Sequence, residues 1–579
     1  MVTLTFPEWR PDTSDLLANW TQRLRNVVPR SDGYGPFRDV TVFTQALPAP
    51  CRGYIIAYAE DGTVRLFAGT ATKLYLLNNT TLSWNDVSKA FGTYSTLNNG
   101  ANWVFAQFNN VVIATQRNDD MQAFNIESST EFADNGSDIN RPQAGWVVRV
   151  GPFLLAGDLA DNAFRVQWCG LNEIDNWTSS TNSSDFQDLP DGGRPRMGRE
   201  VEGGVAIVLQ EDGARRMVFS SGSEAVFDID RLQNAPGILA PYSAVVASGG
   251  VHYLSTRGWV VVGADGSVTP IGEERVNRTF LGQLPVNAPA ELRSLAYDEA
   301  APQLVIGAAD PRQSLILWGY KSSSGAAGLM DRGLLYHTVL KRWAPVELSG
   351  QFISPVSRPG LTIESLDAIA PGAQTISGCA DNGSGLIRVT VGSTTGWTTG
   401  DYKTISAVAG TTEANGTWPI TVIDGTHIDL QGSAFANAYV SGGVVGGSID
   451  DLTFSLDSVS TASLPNISIV DDDGRIGFFD GDTLEAELLT AEQSLGARRM
   501  NINGIRPVSD ANSIFASVLS RGNLNEVATQ GTESEMDSDG YCPLLDEGRY
   551  ARALLRIPAA TDWSFASGAE PDAAQAGGF

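Results

Sequence analysis

The sequence predicts an all-β protein: a β-propeller with platform segments and an inserted small β-barrel domain. Three observations carry this. Beyond Pro50 the helical period vanishes, and runs of alternating apolar residues follow one another, split by turns. The runs group into units that begin about 35–50 residues apart, which suits four-stranded blades. The 61 glycines sit singly between short apolar runs, where tight turns need positive φ. A stack of β-sandwiches would give a similar pattern. At 579 residues the chain exceeds one ordinary core, so two or more domains are expected.

Residues 1–50 read as an N-terminal helix and arm or platform. The helix is predicted over "DTSDLLANWTQRLRNVVP" at 12–29. Thr13 or Ser14 caps it, Leu16, Leu17, Trp20, Leu24 and Val27 recur at helical spacing, and Pro29 ends it. Residues 51–360 read as blades, with strand units at 63–88, 102–125, 145–170, 203–229, 243–272, 292–320 and 332–348. Turn chemistry such as Glu60-Asp61-Gly62, Glu211-Asp212-Gly213 and Ala264-Asp265-Gly266 divides their strands. Trp84, Trp103, Trp146, Trp168, Trp177, Trp259, Trp318 and Trp343 fall once or twice per unit, which suggests blade-core packing over a clustered sugar platform. Residues 361–449 have few charges and many Gly, Thr and Ser. They read as an inserted small β-barrel with "SGGVVGGS" at 441–448 as its return linker. Residues 450–579 supply the remaining blade and platform strands and a small-residue tail, expected to order only against a partner.

The charge balance is lopsided, with 66 acidic against 39 basic residues and a net of −27. Residues 451–579 alone hold 21 acidic and 8 basic. Such a chain lacks the basic footprint of a tight nucleic-acid binder, which does not argue against a protein that DNA must slide past. Cys51, Cys169, Cys379 and Cys542 are far apart and read as four buried thiols. The N-terminus lacks a signal-peptide pattern, and no run of about 18 apolar residues suggests a membrane span.

Catalytic constellations are sparse. His252, His337 and His427 are widely separated, with no H-x-x-H spacing. No G-x-S-x-G or phosphate-binding Walker loop occurs. The Asp471-Asp472-Asp473-Gly474 string lacks EF-hand spacing and reads as a β-turn with solvated acids. No cofactor or metal is expected, nor is an enzyme.

Six strings in order resemble the tail nozzle family of short-tailed bacteriophages, also called tail tubular protein B-like or tail hub proteins. They are "NVVPRSDGYGPF" at 26–37, "RLFAGTATKLYLL" with "LSWNDVS" at 65–88, "NWVFAQFNNVVIAT" at 102–115, "RVQWCGLNEIDNW" at 165–177, "GFFDGDTLEAELLTAE" at 477–492, and "GRYARALLRI" with "DWSFASG" at 548–568. Members often have "WSG" where this chain has Trp168-Cys169-Gly170. Separately, "GTTEANGTWPITVIDGTHIDLQGSAFANAYVSGG" at 410–443 is similar to the FCCH domain, a likeness of fold alone.

The resemblance implies a structural virion protein, made in the host bacterial cytoplasm and built into the tail. It implies a homo-hexamer surrounding a conduit below the portal–adaptor (head–tail connector) ring, with tail fibres or spikes as neighbours. Viral double-stranded DNA would pass through it without specific binding, in genome retention and ejection. The candidate channel-lining acids are then Asp471, Asp472, Asp473, Asp480, Asp482 and Glu485. The alternative is a phage tail receptor-binding or glycan-binding propeller, which predicts clustered aromatics and a paired-carboxylate cleft.

Overall fold

The computed structural model describes residues 3–358, 374–446, 465–494 and 499–575, apart from residues 15, 17, 18, 61, 63, 91, 92, 221, 223, 224, 311 and 396. Among them, seven four-stranded antiparallel sheets form the blades of a β-propeller. The inner strands are Tyr54–Tyr58, Val104–Phe108, Ala144–Val150, Pro195–Glu202, Val245–Ala247, Ile306–Asp310 and Phe352–Val356, numbered here as blades 1 to 7. Each packs against the next, and the seventh returns to the first, so the ring is closed. Blade 7 is sewn from three distant pieces. Phe352–Val356 pairs with Asn466–Val470, which pairs with Ile476–Phe478, and Thr41–Val42 from near the N-terminus is the outer strand.

Tryptophan and glycine hold the seams between blades. The Trp146 indole of blade 3 lies on Gly157 of its own blade and Gly198 of blade 4, and its Nε1 donates to the Pro195 carbonyl at 2.6 Å. Trp103 lies on Gly69 and donates to Thr70 across the blade 1–2 seam at 2.8 Å. Trp318 lies on Gly307 and donates to Ser243 at 2.8 Å. A large ring reaches this close only where the facing residue lacks a Cβ, and the buried N–H is satisfied by a neighbouring carbonyl. Trp168, Trp177, Trp259 and Trp343 are also buried, so these residues do pack in cores.

The inserted domain leaves the ring between the first and second strands of blade 7. Its six strands close into a barrel in the order Gln374–Asp381, Ile387–Val391, His427–Leu430, Gly416–Val422, Tyr402–Ala409, Ser441–Gly446. Ile387, Val389, Ile428, Leu430 and Val445 fill it. The reading of 441–448 as a linker is corrected here. Ser441–Gly446 is a barrel strand, because Val445 supplies a core side chain and Gly442 and Gly443 take positive φ without penalty.

The two chain ends build a platform against blade 6. One sheet runs Cys542–Gly548, Met500–Ser509, Ala566–Gln575, Tyr34–Pro36, Val27–Pro29, with Leu4–Thr5 joined to Ala566–Gln575. The other contains Leu24–Arg25, Ala486–Leu489, Tyr550–Ile557 and Phe515–Arg521. Their core is continuous with that of blade 6 through residues such as Val27, Tyr34, Leu555 and Trp343. The C-terminal residues through Gln575 are therefore ordered within this chain by pairing with Met500–Ser509, without the partner the sequence suggested.

The helix expected over 12–29 is also corrected. Residues Trp20–Thr21, Leu24–Arg25 and Val27–Pro29 are short strands; residues 15, 17 and 18 lie outside the described set. Leu24 pairs with Leu488 and Arg25 with Glu487, while Asn26 turns the chain at φ 53. Its side chain accepts from the Glu347 amide at 2.8 Å and donates to the Glu485 carbonyl at 2.9 Å. Sheet pairing and this bridge outweigh a weak helix propensity.

Candidate functional site

The six acids expected to line a channel lie on blade 7 and the strand leading from it to the platform, and most are paired. Asp471–Arg475 is the turn between the second and third strands of blade 7, with Gly474 at φ +84. The Asp471 carboxylate accepts from the backbone N–H groups of Asp473 (3.0 Å) and Arg475 (2.7 Å), and from Arg475 Nε (2.8 Å). Arg475 Nη2 also holds Asp473 at 2.7 Å. Asp480 pairs with the buried Arg358 at 2.5 Å, whose guanidinium lies 4.3 Å over the Phe478 ring. Glu485 sits between Arg25 and Arg556, each at 3.1 Å. Glu533 and Glu485 together push the Arg556 pKa above its ordinary value.

Asp472 and Asp482 differ. Among the described residues the Asp472 carboxylate accepts only from the Ser349 hydroxyl, at 2.6 and 2.7 Å, and the Asp482 side chain is exposed. Apart from Arg475, the cationic partners were not legible in sequence, because Arg25, Arg358 and Arg556 are 71 or more residues from the candidate acids they meet.

The propeller axis is stoppered. Links from each outer strand to the next inner strand emerge on the same face as the turn between second and third strands, as alternation in a meander requires. On this face the Asn102 amide, leading into blade 2, donates to the Tyr242 hydroxyl, leading into blade 5, at 2.8 Å. Blades 2 and 5 stand on opposite sides of a seven-membered ring, so this bond spans the axis. Arg52, leading into blade 1, donates to Asn102 Oδ1 at 3.0 Å and to the Ala101 carbonyl. A Cβ on Gly100 would meet Gln303, leading into blade 6, at 3.1 Å.

The remaining reactive side chains are dispersed. His252 is buried among neutral neighbours, and desolvation lowers its pKa to about 4. His427 pairs with Asp424 at 2.8 Å on the barrel surface. All four cysteines are free and buried. Burial pushes Cys51 and Cys169 up to about 12, and Cys379 and Cys542 up to about 11, the opposite of an activated thiolate. Among the described residues, no group of three or more His, Cys, Asp or Glu side chains is placed to hold a metal ion. No helix among them is long and apolar enough to cross a membrane.

No family model matches the chain, and no curated protein matches it. Solved structures do align with it at low similarity. BamB from Moraxella catarrhalis is 10% identical over 76% of this chain and 98% of its own, with a TM-score of 0.33. U3-55K is 9% identical over 71% of this chain and 100% of its own, with a TM-score of 0.32. YCF48 bound to D1 peptide is 10% identical over 54% of this chain and 86% of its own, with a TM-score of 0.30. Likeness at this level carries no functional argument; the propeller rests on the seven sheets and the closed ring.

Proposed function

We propose that this chain is a structural virion protein, the tail nozzle of a short-tailed bacteriophage. Six copies would form a conduit below the portal–adaptor ring for genome retention and DNA ejection. The observation that carries the reading is the reach of the resemblance over both parts of a composite fold. Its strings fall on blades 1, 2, 3 and 7 and on both ends of the platform.

Such a conduit has to take account of the stoppered axis. With Tyr242 bonded across the ring, DNA has no route through one subunit, so the passage belongs between copies. The platform offers a surface for that contact. Cys542–Gly548 is an edge strand whose outer side is unpaired among the described residues, and Leu545 on it is 90% exposed. A head-to-tail contact forms a ring when its rotation closes, as six copies would require. Asp472 and Asp482, which lack a cationic partner among the described contacts, are the acids best suited to repel phosphates in the lumen. The other four contribute less field because arginines hold them.

Negative-stain imaging with mass photometry, on the purified chain alone and mixed with portal–adaptor complex, tests the proposal. Six-fold rings with an open centre, or six-fold density added below the adaptor, are expected. Monomers that ignore the adaptor, or trimers carrying a distal propeller, would refute it and favour a receptor-binding role.

A further inference from the structure

The stopper borders a partly open cavity of about 350 Å³ whose charge runs against the rest of the molecule. Arg117, Arg194 and Arg196 line it, and Tyr242 forms part of its wall. Arg52 and Arg199 stand close to the same phenol. Against these five guanidinium groups there are two carboxylates. Asp158 is held by Arg194 at 2.5 Å and lies 3.5 Å from Arg117. Glu211 lies 3.6 Å from Arg196. The excess of positive charge sits inside a chain of net charge −27.

The surplus cations have neutral partners. Arg199 Nε donates to the Ala244 carbonyl at 3.1 Å, and Arg117 donates to the Asp158 and Leu159 carbonyls. Burial holds the Arg199 pKa down to about 10 and lowers that of Arg52. Arg556, which has its carboxylates, shifts the other way. A guanidinium removed from water without a counter-charge favours an anion beside it.

A second feature of the same cavity asks for a donor. Gln116 lines it and is 1% exposed. Its Nε2 donates to the Ser95 carbonyl at 2.9 Å, while its Oε1 accepts no hydrogen bond. A buried acceptor left in this state is costly unless a donor meets it.

We propose that this axial cavity binds inorganic phosphate, an oxyanion that keeps a hydroxyl donor at neutral pH. The anionic oxygens face Arg196 and its neighbours, and the hydroxyl donates to Gln116. Occupancy would tie together the links into blades 2, 4 and 5, the elements that close the axis. The inference does not depend on the nozzle reading.

Isothermal titration calorimetry of the full chain with inorganic phosphate tests it, with sulfate and chloride at matched ionic strength as comparators. Saturable phosphate binding is expected, about tenfold tighter than sulfate, which has no hydroxyl at neutral pH. Arg196→Gln should weaken phosphate binding about tenfold or more. Gln116→Glu, which sets a carboxylate against the anion, provides a second variant should the first fail to fold, and should abolish binding. Equal heats for phosphate and chloride would overturn the proposal, as would undiminished phosphate binding in a folded variant. Sulfate binding as tight as phosphate would overturn the role given to Gln116.

Discussion

Lowering the pH should loosen blade 5 through one imidazole. His252 lies in the strand Gly250–Ser255, opposite Val245 and Val261, with the Tyr336 ring 6.1 Å away. It is 4% exposed, and its Nδ1 has no partner. Desolvation lowers its pKa from 6.5 to about 4, with a Gly250 backbone hydrogen bond opposing the shift. The unfolded imidazole therefore takes a proton first as the pH falls. Its contribution to stability is complete above pH 6.5 and drains away as the pH drops toward 4. Between pH 7.5 and pH 4.5 the loss comes to about 2–3 kcal/mol at this one residue. The measurement is urea unfolding of the wild type and His252→Phe at both pH values. Tryptophan fluorescence follows it, since Trp259, Trp318 and Trp343 cluster in blades 5 and 6 at centroid distances of 4.3 to 6.0 Å. Other titrating groups cancel in the comparison. The stability gap between the two proteins should shift by about 2–3 kcal/mol in favour of the variant at the lower pH. An unchanged gap would show that the folded imidazole protonates freely, and the argument from burial would fail.

Four other outcomes are expected. Glu492, whose side chain is 1% exposed, sits 2.6 Å from Arg521 and 3.4 Å from Arg552 in the platform. Glu492→Gln should cost about 3–5 kcal/mol, measured by chemical unfolding, because it removes the buried negative charge that the Arg521 guanidinium meets. Gly198→Ala should cost about 1–3 kcal/mol in the same assay, since the new methyl drives into the Trp146 ring. Tyr242→Phe orphans the Asn102 amide and should speed hydrogen exchange across residues 97–103, at a cost of about 1–3 kcal/mol. Asp471→Lys should lower the melting temperature by breaking three hydrogen bonds of its turn, whereas Asp472→Lys should leave it nearly unchanged. Only Asp472→Lys is then a clean probe of genome ejection, and normal ejection by phage carrying it would remove that residue from the lumen proposal.

The propeller was legible because its signals are local. Alternation such as "FRVQW" and turn strings such as Ala264-Asp265-Gly266, with Gly266 at φ +83, declare strands and reversals without reference to distant residues. The tryptophan spacing was legible for the same reason, since each blade needs a seam. What failed was set by distant partners. Leu24 and Val27 show helical spacing, yet Leu488 across the platform decides their conformation. The glycines of 441–446 resemble a linker until the barrel closes around Val445. The candidate acids were visible, but Arg358 and Arg556, which neutralise two of them, lie far away in the chain. The axial cavity gave no signal, because Arg117, Arg194, Arg196 and Tyr242, which line it, are scattered over about 125 residues and meet only when the ring closes.

The sewing of blade 7 sets a timetable for synthesis. Thr41–Val42 leaves the ribosome early, yet its sheet partner, Ile476–Phe478, follows about 435 residues later. At roughly 5–20 residues per second, the wait is roughly 20 to 90 seconds. Throughout it, six blades can form as hairpins while the ring stays open. The barrel is complete before the ring, because its last strand ends at Gly446, ahead of Asn466. A barrel already folded when closure comes shortens the effective span between Val356 and Asn466, easing the last step. Swapping or truncating the first 42 residues should therefore leave nascent chains that stall as open arcs with an exposed blade 7 edge, ready to take the missing strand from a neighbouring chain.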